Sequence, residues 1–466
     1  MIKFSKIKSR LFLTISLMAG LSFISSCARK PENVPVARIA DRVITAEEFA
    51  FAYEMAPRSI TNLGNKQARQ MVLDQLIGTI LLARQAEKQK LGEDTLLQQS
   101  VDLYKRLAIN RELYLKHVRK PVKIAEPEER QAFEYSKITL FVRHFSSDQF
   151  DLANQVSAGI LKLKHTPIFK GVRQVSLPEY GIVDQIKWRD IPEGVATVLY
   201  QLPLRQYSKP YFDGRYYHVF QVVEEEKEAL LRENDFQANR ESLNGILRKH
   251  KEQKASGEYV QKIMSDENVI IKAKALNSLT EEVWKNRPTT TAPLEQYITN
   301  QEINSITMDS RAFMNDDIAE FASGRMTVAD LLINYKVNPV KIAYESKMAV
   351  RESLKNAAGM YVRDRVLSEQ GIKERLYRRP SVIAEETTRR EHLLMRKMLA
   401  QIGREYYAHN PDPKNAQASL DSFIADYTVN LRNTGNVKIY NENLMAVKTT
   451  DANLARKIDF VAFHTQ

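Results

Sequence analysis

Two histidines lie in strand-like segments of the sequence. In the segment FDGRYYHVFQVVEEE apolar residues alternate up to an acidic run, which is typical of a half-buried strand, and the period places His218 on one face with Phe220. In the segment VRHF, His144 shares a face with Val142 in the same way. Each histidine is either a hydrogen-bonded core residue or part of a site. As metal ligands they would need a third partner, which the nearby sequence does not provide.

Residues 1–26 have the features of a secretory signal peptide. A basic beginning is followed by an apolar run from Leu11 to Ile24, which is too short to cross a bilayer and has no stop-transfer flank. We therefore expect the protein to be exported.

The end of this segment, Ile24-Ser25-Ser26-Cys27, resembles the lipobox of bacterial lipoproteins. Cys27 is the only cysteine, so it cannot form an internal disulfide, and we predict that it is lipidated and anchors the chain to a membrane. A short polar tether, residues 27–35, follows. Ala28 is not the aspartate that retains some lipoproteins at an inner membrane, which favours an outer membrane with the chain facing the periplasm.

The charge balance restricts the class of partner. The net charge of +12 falls to about +8 without the signal peptide, and the basic residues are interspersed with acidic ones, so nucleic acid is not expected as a partner. Acidic lipid headgroups or acidic segments of client proteins are more natural counterparts. There is no phosphate loop, HExxH motif or nucleophile elbow, so we expect no metal and no cofactor.

Two parts of the chain share a helix start and its spacing. Thr45 with Glu48, and Thr327 with Asp330, have the spacing of a capping box, and the separation from Thr45 to Arg69 recurs after Thr327. Similar late segments, 257–279 and 422–444, each read as a helix followed by a strand. We interpret this pattern as a duplicated helical module, with chance similarity between charged helices as the alternative.

The first copy is interrupted by a block that is richer in strand-like runs. We predict a mostly α fold with an inserted α+β domain. The predicted ranges are a signal peptide (1–26), a tether (27–35), a helical module (36–135), the inserted domain (136–226), the return of the first module (227–290) and a second module without an insert (291–466).

This organisation resembles the SurA/PrsA-type envelope foldases, in which a parvulin-type peptidyl-prolyl isomerase domain interrupts a helical chaperone module. The residues VITAEEF resemble the opening of that module, and VKIAEPEERQAFEYSKITLFVRHF resembles the entry into the parvulin domain. Within the insert the match is best in WRDIPEGVATVLYQLPLRQYSKPYFDGRYYHVFQVVE. The resemblance implies two SurA-like modules and a parvulin-like domain.

The resemblance also implies roles for individual residues. His144 and His218 match the paired histidines at the floor of the parvulin site. The positions that receive the substrate proline match Ile191 and Val195, with Val183 as a third wall and Ser208 as a hydroxyl. Such a site acts on an X–Pro torsional barrier of roughly 18–20 kcal/mol, and a catalyst needs only to hold the proline ring and favour the twisted amide.

The insert also departs from the parvulin pattern. The region FKGVRQVSLPEYGIVDQIKW has no cysteine and no paired glycines, and it leaves Glu179 and Asp184 as candidates for the missing acid. Val195 replaces the aromatic residue expected in the proline pocket. We therefore expect weak isomerase activity or none.

Three functions remain open on this basis. The chain is a working isomerase that also holds clients, a chaperone whose parvulin-like domain is a scaffold or peptide clamp, or a structural lipoprotein that uses its helical modules as docking surfaces in an envelope complex. In the first two, the partners are unfolded exported proteins, including outer-membrane proteins.

Overall fold

The computed structural model describes residues 34–449 except 62, 169–170, 214–215, 229–231, 288–294, 299–302, 305, 307–310 and 411–415. The predicted signal peptide, Cys27 and most of the tether lie outside the described residues, so they remain predictions. Within the described part of the chain, no helix combines the length and the apolar character needed to span a membrane.

The described chain is mostly helical. In chain order the helices are α1 (Ala46–Met55), α2 (Arg58–Thr61), α3 (Asn65–Lys88), α4 (Thr95–Tyr114), α5 (Glu126–Ser136), α6 (Phe150–Ser157), α7 (Glu193–Leu199), α8 (Glu233–Met264), α9 (Ala273–Lys285), α10 (Val328–Val337), α11 (Lys347–Lys373), α12 (Pro380–His409), α13 (Ala416–Thr434) and α14 (Asn441–Ala446).

The described structure also contains antiparallel strands. They are β1 (Pro35–Ile39), β2 (Arg42–Thr45), β3 (Ile138–Ser147), β4 (Gln174–Leu177), β5 (Gly181–Lys187), β6 (Tyr211–Phe212), β7 (Tyr217–Lys227), β8 (Ile270–Ile271), β9 (Glu295–Tyr297), β10 (Asp317–Phe321), β11 (Gly324–Thr327), β12 (Lys341–Ala343) and β13 (Val437–Ile439). The described residues divide into two compact units, one of residues 34–82 and 405–449 and one of residues 83–404.

The first unit contains a three-stranded sheet in the order β13-β1-β2, which packs on α1 and α3. We name residues 35–82 and 416–447 the terminal motif. Apolar residues recur along α3 at helical spacing, so one face of that helix enters the core. The buried core consists of Val36, Ala37, Ile39, Ile44, Phe49, Val72, Leu73, Ile77, Ile80, Leu81, Leu444 and Val447.

The second unit contains a similar sheet in the order β11-β10-β8. We name residues 270–285 and 317–373 the central motif. Its core joins α9, α10 and α11 beneath the sheet, and two fully buried tyrosines, Tyr335 and Tyr361, meet edge to face with ring centroids 5.6 Å apart. Tyr361 Oη donates to the Asn338 carbonyl at 2.7 Å, which compensates the burial of that hydroxyl.

The two sheets have the same register. Ala37 faces Ile44 and Ile439 in the terminal motif, as Ala319 faces Met326 and Ile271 in the central motif. Each motif takes its third strand from the part of the chain predicted for the other module copy. Neighbouring strands in these sheets are therefore not always consecutive in the chain. The open edge of each hairpin pairs with a strand from another part of the chain.

The strand-rich block forms a five-stranded antiparallel sheet in the order β4-β5-β3-β7-β6. One face packs on α7 and on the start of α8 around a cluster that includes Leu140, Val142, Ile186 and Phe220. The sheet is flanked by α5 and α8, whose rings Phe133 and Phe236 lie 5.5 Å apart. The other face carries α6 and two smaller apolar clusters.

Candidate functional site

The two histidines predicted from the sequence are in direct contact. Strands β3 and β7 pair so that His144 faces Phe220 and Ser146 faces His218, which places both imidazoles on one face of the sheet. His144 Nε2 lies 2.9 Å from His218 Nδ1. The rings are nearly parallel, with an interplanar angle of 19°.

The hydrogen-bond partners of His144 determine which ring nitrogen carries its hydrogen. His144 Nδ1 lies 2.9 Å from the Thr166 carbonyl oxygen, which can only accept, so Nδ1 carries the hydrogen. Burial lowers the pKa of His144 to about 4, and the neighbouring His218 and His165 act in the same direction. At neutral pH His144 is therefore uncharged and its Nε2 accepts a hydrogen bond from His218 Nδ1.

The outer nitrogen of His218 faces a carboxylate. His218 Nε2 lies 2.9 Å from Asp213 Oδ2, which is ion-pair distance without the alignment of a straight hydrogen bond. The other oxygen of Asp213 accepts from the Tyr216 amide at 2.7 Å. The Asp213 carboxylate therefore lies on the outer side of the histidine pair.

A buried carboxylate organises the loop beneath His144. Asp184 is fully buried and accepts from the Ile168 amide at 2.7 Å and from Gln174 Nε2 at 3.0 Å. His165 Nε2 lies 3.4 Å from Asp184 Oδ1, while its Nδ1 accepts from the His144 amide at 3.1 Å. Asp184 therefore reaches His144 through His165 rather than directly.

Of the two candidate acids, only Asp184 belongs to this network. Glu179 lies exposed in the turn between β4 and β5. The sequence contains a signal for Asp184, because in GIVDQIK it alternates onto one face with Ile186 and is the charged residue on an otherwise apolar side. His165 was missed because its loop has no periodic pattern.

The predicted pocket residues lie in two different places. Ile191 and Val195 belong to the core on the histidine side of the sheet and are only 3% and 7% exposed. Val183 lies on the opposite face, in a cluster with Phe141 and Val223. The structure does not bring Val183 to the other two, because its neighbour Asp184 occupies the histidine-side position of β5.

Ser208 has a role in strand pairing. Its backbone amide donates to the Phe220 carbonyl at 2.8 Å, and its hydroxyl accepts from the Phe220 amide at 2.9 Å. Ser208 is buried, and its own carbonyl accepts from the Ser157 hydroxyl at 2.7 Å. The residue therefore ties its loop to β7 next to the histidines.

An aromatic residue missed in the sequence lies beside the pocket positions. Tyr211 on β6 pairs with His218 and packs against the cluster that contains Ile191 and Val195. Its hydroxyl lies over Gly194, where a Cβ would overlap it. Burial raises the pKa of Tyr211, with a further contribution from Asp213, so the side chain is a neutral phenol. The Tyr211 ring therefore covers the pocket position where the sequence predicted Val195 in place of an aromatic residue.

Comparisons with known proteins give distant structural matches only. No family model matches the chain, and no curated protein matches it. One similar solved structure is described as the virulence factor PEB4 and the periplasmic protein Cj1289, two SurA-like chaperones of Campylobacter jejuni; its identity is 17%, it covers 51% of this chain and 100% of its own, and the TM-score is 0.24.

Two further matches are proteins named PrsA. The foldase protein PrsA from Streptococcus pneumoniae is 13% identical over 52% of this chain and 96% of its own, with a TM-score of 0.22. The peptidylprolyl isomerase PrsA from Bacillus cereus is 11% identical over 49% of this chain and 89% of its own, with a TM-score of 0.20. At these TM-scores the likeness supports no conclusion about this chain.

Proposed function

We propose that this chain is an exported, lipid-anchored foldase that binds unfolded proteins and carries a parvulin-like domain of weak or lost isomerase activity. The observation that carries the proposal is the hydrogen-bonded pair of His144 and His218 beside a closed apolar pocket. The pair matches the arrangement that the sequence resemblance implies. The closed pocket supports the proposal that isomerase activity is weak or lost.

The closed pocket argues against efficient proline isomerisation. A catalyst of this reaction must hold the proline ring against an accessible apolar surface. Ile191 and Val195 are almost completely buried, and Tyr211 lies across Gly194 between them. A proline ring could enter only if the Tyr211 side chain moved away.

An exposed aromatic cluster supports peptide binding by the same domain. Phe150 and Phe212 are each about half exposed, at 50% and 51%. Both contact Tyr217, with ring centroids 5.3 Å and 4.7 Å away. Exposed aromatic groups of this kind are favourable contacts for apolar side chains of a partner. The cluster supports a clamp role that does not need an open proline pocket.

The duplicated SurA-like module is part of the same proposal. The shared register of the terminal and central motifs supports it. The proposal keeps the predicted domain ranges as segments of the sequence, namely 36–135, 136–226, 227–290 and 291–466. The sheets of the two motifs each combine strands from more than one of these ranges.

An isomerisation assay tests the activity. The chain without its first 27 residues, mixed with a proline-containing peptide, is expected to accelerate cis–trans exchange by a few-fold at most. Tyr211→Ala is expected to raise the rate by opening the pocket, and Tyr407→Ala, which changes an exposed tyrosine, is the matched control. A rate enhancement of several hundred-fold in the unchanged protein would contradict lost activity.

An aggregation assay tests chaperone function. The same chain at equimolar ratio is expected to suppress the aggregation of a urea-diluted outer-membrane β-barrel protein. Suppression should not depend on the isomerase pocket, so the variant Tyr211→Ala should retain it. Unchanged aggregation in the presence of the protein would favour a structural lipoprotein instead.

Metabolic labelling tests the anchor. A clickable palmitate analogue is expected to label the wild-type protein in cells and to leave Cys27→Ser unlabelled. Membrane fractionation of the labelled protein then tests the predicted outer-membrane location. Equal labelling of both proteins would exclude Cys27 as the lipidated residue.

A further inference from the structure

A short turn between two long helices carries an excess of positive charge. Helix α11 ends at Lys373, a single 3₁₀ turn covers Leu376–Arg378, and α12 begins at Pro380. We name residues 373–379, which read KERLYRR, the basic turn. The basic turn contains four cations and one carboxylate.

Packing directs the cations of the basic turn to the surface. Leu376 and Val382 are buried in an apolar cluster with residues of α4 and α11, so they hold the turn in place. Arg375, Arg378 and Arg379 are exposed. The apolar residues of the sequence therefore enter the core and the guanidinium groups face the solvent.

The carboxylate of the basic turn is already engaged. Glu374 accepts from Lys116 Nζ at 2.7 Å and lies 2.8 Å from His117 Nε2. Burial raises the pKa of Glu374, but hydrogen bonds from Lys116, His117 and Gln370 outweigh it and lower the pKa to about 2. Because Lys116 brings a further cation to Glu374, this pairing does not neutralise the basic turn.

The other cations of the turn are available to an anion. Lys373, Arg375 and Arg379 make no salt bridge with any carboxylate of the described residues. The guanidinium carbon of Arg378 lies 5.6 Å from the centroid of the Tyr377 ring, a contact that leaves its charge uncompensated. The turn therefore presents a group of exposed positive charges.

The turn after α3 has the same backbone plan without this excess. Helix α3 ends at Lys88, a 3₁₀ turn covers Leu91–Glu93, and Lys90 has a left-handed φ of 60°, as Arg375 has with 59°. Residues 88–94, KQKLGED, contain two cations and two carboxylates. The excess of positive charge is therefore not required to form such a turn.

An exposed aliphatic side chain lies next to the basic turn. Ile383 is 51% exposed, and its backbone amide donates to the Arg379 carbonyl at 3.1 Å, so Ile383 lies one helical turn beyond Arg379. Cations beside an exposed apolar side chain suit a membrane surface, where the cations meet the headgroups and the apolar group enters the acyl boundary. A soluble acidic polypeptide would use the cations alone.

The predicted anchor would keep the chain close to such a surface. Eight positions separate Cys27 from Pro35, the first residue of β1, and this span reaches roughly 30 Å at most. Tethering raises the effective concentration of lipid headgroups around the protein, so even a weak electrostatic contact becomes populated.

We propose that the basic turn binds an anionic membrane surface, with lipid phosphate groups contacting Arg375, Arg378 and Arg379 and with Ile383 entering the headgroup region. The inference rests on the proposed lipid anchor. It adds a second, reversible contact with the membrane to the covalent one.

Cosedimentation with vesicles tests the charged part of the inference. The chain without its first 27 residues is expected to bind vesicles of equal parts phosphatidylcholine and phosphatidylglycerol, and not vesicles of phosphatidylcholine alone. Arg375→Gln/Arg379→Gln should weaken binding about 30-fold, because each cation near an anionic surface contributes about 5-fold. Lys88→Gln/Lys90→Gln removes the same charge from the turn after α3 and should weaken binding less than about 3-fold. Equal losses, or no binding by the wild type, would overturn the inference.

A second pair of variants tests the apolar contact. Ile383→Ser is expected to weaken vesicle binding by about 3- to 10-fold, because an aliphatic group no longer leaves water. Ile160→Ser makes the same change at another isoleucine, which is 73% exposed, and should bind like the wild type. Unchanged affinity of Ile383→Ser, or an equal loss in Ile160→Ser, would overturn this step.

Competition identifies the source of the negative charge. Vesicle binding is expected to resist inorganic phosphate and a soluble polyglutamate peptide, each added at the same total charge as the anionic lipid. Displacement by phosphate would make the basic turn a site for small anions. Displacement by polyglutamate would make it a site for acidic polypeptides. Either result overturns the inference.

The assays of the proposed function fail separately from these tests. Absent vesicle binding together with labelling of Cys27 and suppression of aggregation would leave the proposed function standing and overturn the inference. Absent labelling of Cys27 together with the expected vesicle binding would contradict the anchor and support the basic turn as the membrane contact.

Discussion

The terminal and central motifs have the same backbone plan but are held together differently. In the terminal motif Arg69 is buried and donates to the carbonyls of Leu444 at 2.8 Å and Val447 at 2.9 Å. Its counterpart in the central motif, Arg351, is partly exposed and bonds the side chain of Asn277 at 2.9 Å. One arginine is a buried connector between distant segments, and the other is a surface contact.

The helix caps differ as well. Thr327 and Asp330 form a reciprocal capping box, with hydrogen bonds of 3.2 Å and 3.0 Å. Thr45 accepts from the Glu48 amide at 3.2 Å, but the Glu48 carboxylate turns to Arg42 at 2.6 Å instead of completing the box. A shared sequence spacing therefore specifies the helix start, while the partner of the third residue depends on the neighbouring strand.

The largest expected effect is a pH dependence of stability that comes from the five-stranded sheet and from neither motif. Neither motif contains a histidine. His144 stays neutral in the folded state until about pH 4, whereas the unfolded chain takes up a proton near pH 6.5. Because the unfolded state binds more protons between these values, stability is full above about pH 6.5 and falls by roughly 3 kcal/mol as pH drops to 4.

Urea unfolding monitored by tryptophan fluorescence measures this dependence. The lowered pKa of His250, which results mainly from burial, adds to it in the same direction. His144→Gln is expected to flatten the pH dependence, and His409→Gln, an exposed change, should leave it as in the wild type. A pH dependence in His144→Gln as steep as that of the wild type would assign the effect to groups other than His144.

The second-largest loss of stability is expected for Arg69→Met. It leaves two buried carbonyls without their donor, and we expect a loss of about 2 to 3 kcal/mol. Arg351→Met should cost less than about 1 kcal/mol, because its contacts are partly exposed. Hydrogen exchange read by mass spectrometry should show lost protection in residues 35–45 for the first variant only. Equal losses in both variants would remove the distinction between the motifs.

The caps predict a smaller difference. Asp330→Ala should cost about 1 kcal/mol because it removes half of a capping box. Glu48→Ala removes only a partly exposed ion pair with Arg42, and should cost about 0.5 kcal/mol or less. Denaturant titration of both variants checks this, and a larger cost for Glu48→Ala would mean that the pair with Arg42 positions the hairpin.

The smallest expected effect is one that the motifs share. Asn436 and Asn268 precede the third strands with φ of 50° and 46°, a left-handed conformation that asparagine tolerates better than alanine. Each Asn→Ala change should cost about 0.5 to 1 kcal/mol, and each Asn→Gly change about zero. Thermal unfolding of the four variants tests this; unequal costs would show that the two turns are not equivalent.

Much of the local structure was predictable from the sequence. The caps at Thr45 and Thr327 and the alternation around His144 and His218 depend on neighbours within a few residues, so spacing alone indicates them. The mostly helical fold and the strand-rich block follow from the same local patterns. The meeting of the two histidines was expected from the family resemblance, not from spacing.

Long-range partners were not predictable in this way. The pairing of β1 with β13 joins segments from opposite ends of the chain, and no local pattern records it. Tyr211 covers the pocket through a strand pairing of only two residues, and His165 acts through a loop without periodicity. Val183 was assigned to the pocket from its position in the family resemblance. Strand alternation, however, places its side chain on the other face of the sheet from that of Asp184.

The pairing of β1 with β13 in one sheet has a consequence for biosynthesis. Asn443 donates to the Pro35 carbonyl at 2.8 Å across 408 positions of sequence. At a synthesis rate of roughly 5 to 20 residues per second, β1 waits roughly 20 to 80 s for its outer neighbour and keeps an unpaired edge in that interval. The central motif needs no residue beyond 373 and can close earlier. Closure of the terminal motif therefore cannot precede the synthesis of β13.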